Sequence, residues 1–144
     1  MPMRSPFTET VTVYNSVTEN RAQVWRRTVI RGVQWSQRRR INFDTNGRSV
    51  YETETSITIQ LHADTGGSRY VPPKDYLTAE SRDGLWTLNP ANGDDVVVYG
   101  ACPRNISETY TLDDLNREYG YVSIQAVSDN TARAHLKNWK VVAV

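Results

Sequence analysis

The sequence has no second cysteine: Cys102 stands alone among 144 residues, so no disulfide closes within the chain and a disulfide-stapled scaffold is excluded. Histidine is almost as scarce. His62 and His135 are the only two, and neither has a cysteine or another histidine at ligand spacing, so no metal site is expected. No apolar run reaches the roughly 18 residues a membrane-spanning helix needs, and the opening MPMRSPFTET lacks the apolar core of a signal peptide, so no membrane or secretory role is expected. Neither sign of charge predominates. A net charge of +1 gives the whole chain no strong pull on nucleic acid or membrane. No glycine-rich phosphate loop opens a helix, and no serine sits in a G-x-S-x-G turn. No cofactor is expected, and no complete acid, base or nucleophile set is visible, so the chain reads as a non-enzyme.

What the sequence does contain is alternation. Fourteen aromatic residues, four of them tryptophan, supply large buried areas from few positions. Thr10-Val11-Thr12-Val13-Tyr14 alternates and is rich in β-branched side chains, which predicts a strand; Asn15 to Arg21 reads as a loop. Gln23 to Trp35 predicts a second strand, with a bulge at Gly32. Arg38 to Arg48 reads as a long polar loop with a tight turn at Asn46-Gly47. In Glu54 to His62 the residues Ile57, Ile59 and Leu61 share one face. Ala63 to Pro73 is a turn-rich loop, Asp75 to Arg82 one possible helical turn, Leu85 to Leu88 a short extended piece, and Asn92-Gly93-Asp94 a turn into a strand over Asp95 to Ala101. Thr111 to Gly120 is the one good helix, capped by Thr111 with Asp113 and Asp114 in its first turn and Gly120 behind it. Tyr121 to Val127, with Val122, Ile124 and Ala126 on one face, and Leu136 to Val144 predict the last strands. The expected fold is a single mainly β domain over residues 1–144, a small β-barrel or sandwich with one short helix and long loops.

Three groups of residues invite chemistry. Asp64-Thr65-Gly66 is the triplet of aspartic proteases, which would need two chains to bring two carboxylates together; the polar Gly67-Ser68-Arg69 that follows favours a β-turn instead. Arg26, Arg27, Arg31 and the run Arg38, Arg39, Arg40, interleaved with Trp25 and Trp35, offer phosphate pairing and stacking, against the alternative of a solvated strand and loop. Glu52 and Glu54 lie on one side of a strand but nothing near them marks a sugar cleft, so they read as solvent-facing. Charge is also divided: residues 1–72 hold ten arginines and six acids, residues 73–144 seven basic residues and ten acids. A basic half against an acidic half suits head-to-tail contacts between copies.

Several fragments together resemble a family of short structural proteins of long-tailed bacteriophages, the minor capsid or head-tail connector proteins. They are Val13-Tyr14-Asn15, then Thr28-Val29-Ile30-Arg31-Gly32-Val33-Gln34-Trp35, then Asp64-Thr65-Gly66-Gly67-Ser68-Arg69-Tyr70-Val71-Pro72-Pro73-Lys74-Asp75-Tyr76. Val122-Ser123-Ile124-Gln125-Ala126-Val127-Ser128-Asp129-Asn130 and His135-Leu136-Lys137-Asn138-Trp139-Lys140-Val141 follow in order. In the family's usual ending a His-Trp-Lys-Val run is continuous; here Leu136-Lys137-Asn138 intervenes. The resemblance implies a stopper-like ring subunit of the virion neck, typically a β-barrel repeated six-fold around the DNA exit channel and made in the host cytoplasm. It implies adaptor or portal proteins on one side, tail terminator and tail tube proteins on the other, and non-specific contact with packaged DNA. The loops expected to reach neighbours or the channel hold Arg38, Arg39, Arg40, Asp64, Thr65, Gly66, Gly67, Arg69, Tyr70, Pro72 and Pro73. The alternatives are a tail terminator, for which more helix and a βα alternation are expected, another minor capsid component, or a nucleic-acid-binding β module.

Overall fold

The computed structural model describes residues 6–91 and 94–144. Within them the chain runs β1 (Glu9–Glu19), β2 (Ala22–Phe43), β3 (Ser49–Asp64), β4 (Arg69–Tyr70), α1 (Pro73–Thr78), β5 (Leu85–Trp86), β6 (Val96–Tyr99), α2 (Leu112–Glu118), β7 (Val122–Asp129) and β8 (Asn138–Ala143). Six strands close a barrel in the order β1-β2-β3-β8-β7-β6, every neighbour antiparallel. The fold is therefore mainly β, and of barrel and sandwich it is the barrel. β4 and β5 pair in parallel as a separate two-residue ribbon.

Period-two alternation decides what each strand buries. In β1 the odd residues Val11 and Val13 point inward, where they meet Ile30, Ile57, Ile59 and Val141 in the barrel core. Burying each such side chain is worth about 1.5–3 kcal/mol relative to leaving it in water. Trp86 and Leu88 enter this core from outside the barrel strands, and the rings of Trp86 and Trp139 meet edge-on at 5.4 Å. Asn15 holds that plug in place. Its Nδ2 donates to the Thr87 carbonyl at 2.7 Å and to Asp95 Oδ2 at 2.9 Å, and its Oδ1 accepts from the Thr87 amide at 3.1 Å. This satisfies a buried amide side chain that would otherwise destabilise the core.

The even residues face outward and are covered in turn. Tyr14, Val96 and Val98 pack under the segment 100–121 with Cys102, Ile106 and Leu115. The Tyr14 hydroxyl donates to the Arg104 carbonyl at 2.6 Å, and burial pushes its ionisation far above the usual phenol range. Cys102 is buried and free, and packs as a small hydrophobe. α2 starts with a capping box: Asp114 N donates to the Thr111 hydroxyl and Thr111 N to the Asp114 carboxylate.

Several expectations need correction. β1 runs through Asn15 to Glu19, and the loop expected over Asn15 to Arg21 shrinks to a two-residue turn at Asn20 and Arg21, with φ of 51° and 66°. A second helix, α1, joins the one foreseen, displaced toward the N-terminus from Asp75–Arg82. Leu61 leaves the face of Ile57 and Ile59 because the β2–β3 register jumps between Val33↔Ile59 and Arg31↔Asp64. In β7 a bulge between Ile124 and Ala126 turns Val127, not Ala126, toward the core. The bulge at Gly32 is present, with φ of 85°. Asn92-Gly93 lies outside the described residues.

Candidate functional site

The largest departure from expectation is at Arg38, Arg39 and Arg40. They do not lie in a loop: β2 continues to Phe43 and β3 begins at Ser49, so the two form one long hairpin. β1 pairs with β2 only as far as Val33, and β8 pairs with β3 only from Thr55 onward. Residues 37–54 therefore leave the barrel as a free-standing arm, extending roughly 20 Å at about 3.3 Å per residue. At its tip Asp44 takes the amides of Asn46 and Arg48 on Oδ1, at 2.9 and 2.8 Å, and Gly47 supplies φ of 76°. The turn expected at Asn46-Gly47 is there.

The arm has two chemically different faces, set by the pairing Arg38↔Glu54, Arg40↔Glu52 and Ile41↔Tyr51. On one face Arg38 Nη2 and Arg40 Nη1 donate to the two oxygens of Glu54, at 2.9 and 2.8 Å. Glu54 is buried, not solvent-facing as expected, and the Arg40 hydrogen bond above all, with Arg38 beside it, holds its carboxyl below the usual range. The other face continues the inward face of the barrel. Beyond Trp35 it carries Gln37, then Arg39 with its guanidinium 5.0 Å from the Tyr51 ring centre, then Ile41 and Phe43. Here the apolar side chains are bare: Ile41 is 57% exposed, Tyr51 58% and Phe43 72%. Residue-by-residue reading missed these three. Their signal was available as Ile41-Asn42-Phe43 and Val50-Tyr51 flanking an Asn-Gly turn, the mark of a hairpin.

The second set of expected residues sits at the opposite end of β3, and the structure does not bring the two sets together. Asp64 is exposed, and its Oδ1 accepts the Gly66 amide at 3.0 Å inside a turn where Gly66 and Gly67 have φ of 67° and 89°. The Thr65 hydroxyl donates to the Ser68 carbonyl. Asp64 thus serves as a turn acceptor, and the β-turn reading accounts for the triplet. The Arg69 amide donates to the Gly84 carbonyl at 2.8 Å, which starts the β4–β5 ribbon. Pro72 stands at the N-cap position of α1 without a side-chain capping bond, and Pro73 opens the helix, a position where the missing amide hydrogen costs nothing. The Tyr70 ring meets Trp139 tilted at 4.5 Å and Trp86 edge-on at 5.1 Å, and burial raises its phenol. With Thr65 and Arg69 these rings line a cleft of about 410 Å³. The fold also brings His62 and His135 to one shallow cleft, although no group of three metal-ligating side chains forms among the described residues. No helix is long and apolar enough to cross a membrane, among the residues described.

Fold and site together define a closed six-stranded β-barrel bearing one projecting hairpin arm. The chain belongs to the family of unknown function DUF6751, which it matches over residues 7–144. No curated protein and no solved structure matches it.

Proposed function

We propose that this chain is a non-catalytic structural subunit of a tailed-phage virion, a stopper-like ring protein of the neck that closes the DNA exit channel and joins head to tail. The observation that carries the reading is the arm. A single chain has no use for a two-stranded ribbon that leaves its barrel and holds Ile41, Phe43 and Tyr51 in water; an assembling subunit does, because a partner can cover them. The fragments that resemble connector proteins add support, and they include residues with clear structural work: Asn15, which pins the core plug, and Asp64 to Pro73, which shapes the far end of the barrel. With only two short helices and no βα alternation, the described residues favour a stopper over a terminator. Free DNA binding through the arginine run is less favoured, since Arg38 and Arg40 are engaged by Glu54 and Arg39 lies over Tyr51. The deciding experiment removes the protein from the particle. Heads made without it are expected to fill with DNA but to lose it or fail to join tails; stable, tailed, infectious particles would overturn the proposal.

A further inference from the structure

The mouth of the barrel, where the arm departs, is not sealed. Trp35 and Gln37 at the arm base, Val97 and Tyr99 of β6, and Tyr119 and Tyr121 behind α2 line a groove of about 250 Å³. Trp35 and Tyr99 meet edge-on at 5.1 Å within it, while Tyr99 and Tyr119 remain 53% and 42% exposed. This is an aromatic receptacle with room for one large side chain. The arm tip is an apolar plug of matching kind, and it cannot fill its own groove, because the straight ladder from Arg38↔Glu54 to Phe43↔Ser49 carries it roughly 20 Å away.

Charge completes the match. The arm, residues 37–54, holds Arg38, Arg39, Arg40 and Arg48 against Asp44, Glu52 and Glu54. Glu54 takes Arg38 and Arg40, which leaves Arg39, on the face of Ile41 and Phe43, and Arg48 as the arm's cations outside these ion pairs. The segment 104–121, whose end from Tyr119 to Tyr121 lines the groove, holds Glu108, Asp113, Asp114 and Glu118 against Arg104 and Arg117, a net −2. Arg39 and Arg48 on one surface thus face a segment of net negative charge on the other, and opposite potentials on two patches favour and orient their encounter.

We infer that the arm tip of one copy docks in the barrel mouth of a second copy, with Phe43 in the groove lined by Trp35, Tyr99 and Tyr119, Ile41 against its rim, and Arg39 and Arg48 toward the acidic 104–121 segment. The inference rests on the ring-subunit reading and names the contact between neighbours. Donor and acceptor are different surfaces, so each docking leaves one arm and one mouth free, and successive copies add head to tail until the ring closes.

The test uses the full-length chain, with Ser49→Cys at the tip beside Phe43 and Tyr119→Cys at the groove; wild type, whose one cysteine is buried, is the control. Equimolar variants, mixed at high protein and low salt and then oxidised, are expected to form the S49C–Y119C mixed disulfide well above either homodimer. Sedimentation of the otherwise wild-type chain should show concentration-dependent association, weakened by salt and about tenfold or more by Ile41→Asp with Phe43→Asp, the loss expected for a buried anchor. These exposed positions leave folding intact, which a melting curve checks. A monomer under all conditions with no mixed disulfide overturns the contact, and so does association that the double Asp variant leaves unchanged. In that last case the ring reading survives with another interface. Conversely, a mixed disulfide in a protein whose removal leaves infectious particles supports the contact and sinks the neck role.

Discussion

β2 and β3 are each one strand with two fates. In the barrel, Val33, Ile57 and Ile59 are at most 1% exposed; in the arm, Ile41 and Tyr51, on the same face of the same ladder, are more than half exposed. Local sequence does not make the difference, since both halves alternate and both are rich in β-formers. What differs is company. Along the barrel half β1 and β8 run beside the hairpin and the sheet curls shut over its own inner face; along the arm they have ended. Burial here is a property of the neighbouring strands, and stability should be distributed accordingly.

The sharpest way to break this comparison is a truncation in each half. Ile57→Ala is expected to lower unfolding free energy by about 2–5 kcal/mol, the cost of lost burial plus a cavity. Phe43→Ala, removing a larger side chain, should change it by less than about 0.5 kcal/mol. Denaturant melts of both variants check this, and equal losses would mean that the arm is folded against something within the chain.

Next in size is a change at the far end of β3. Gly67→Val is expected to cost about 1–3 kcal/mol, the range for a side chain forced into a sparsely populated backbone region. Nothing stands within 4 Å of the new Cβ, so the cost is backbone strain and not crowding, and Gly67→Asn, which tolerates positive φ, should recover part of it in the same thermal melt.

Glu54 marks the border between the halves. Glu54→Gln should lower the denaturant midpoint by less than Ile57→Ala and more than Phe43→Ala, because two hydrogen bonds from exposed arginines weaken while no cavity opens. Its carboxyl is held below the ordinary value in the folded chain. The stabilisation from that shift is therefore complete above the unfolded-state pKa, about 4.3, and is lost as the pH falls through the lower folded value. The gap between wild type and Glu54→Gln should narrow on acidification, and an unchanged gap would show that the clamp contributes nothing. The smallest expected effect is Arg39→Glu. Arg39 touches Tyr51 and not Glu54, so its reversal should leave the melt almost unchanged while weakening self-association. It is a cleaner probe than reversing Arg38, Arg39 and Arg40 together, which would also place two acids beside Glu54.

The barrel was legible because its signals are local. Thr10 to Tyr14 and Ile57 to Ile59 alternate strictly, Thr111 and Asp114 stand at capping-box spacing, and Gly32 interrupts an otherwise continuous strand. The arm was not legible because Arg38-Arg39-Arg40 has the composition of a loop, and what keeps it extended is Glu54 from the facing strand, a partner 14 to 16 positions away in sequence. Ala126 and Leu61 were misplaced for one shared reason: an odd number of extra residues in one strand of a ladder, one in β7 and three in β3, reverses every later side chain, and composition carries no trace of it.

A closed barrel has no edges, and the arm gives two back. Along residues 34–43 and 49–54 one side of each strand pairs within the hairpin, while the outward amides and carbonyls have no strand beside them among the described residues. Such a border is a template for adding a further strand, and arms from different molecules could zip together without regard to any ring. Three consecutive arginines make that pairing self-repelling, since two arms brought border to border would set like charges side by side. The cluster therefore has a second duty, as a guard against indiscriminate stacking. Its neutralisation would be felt first as insolubility.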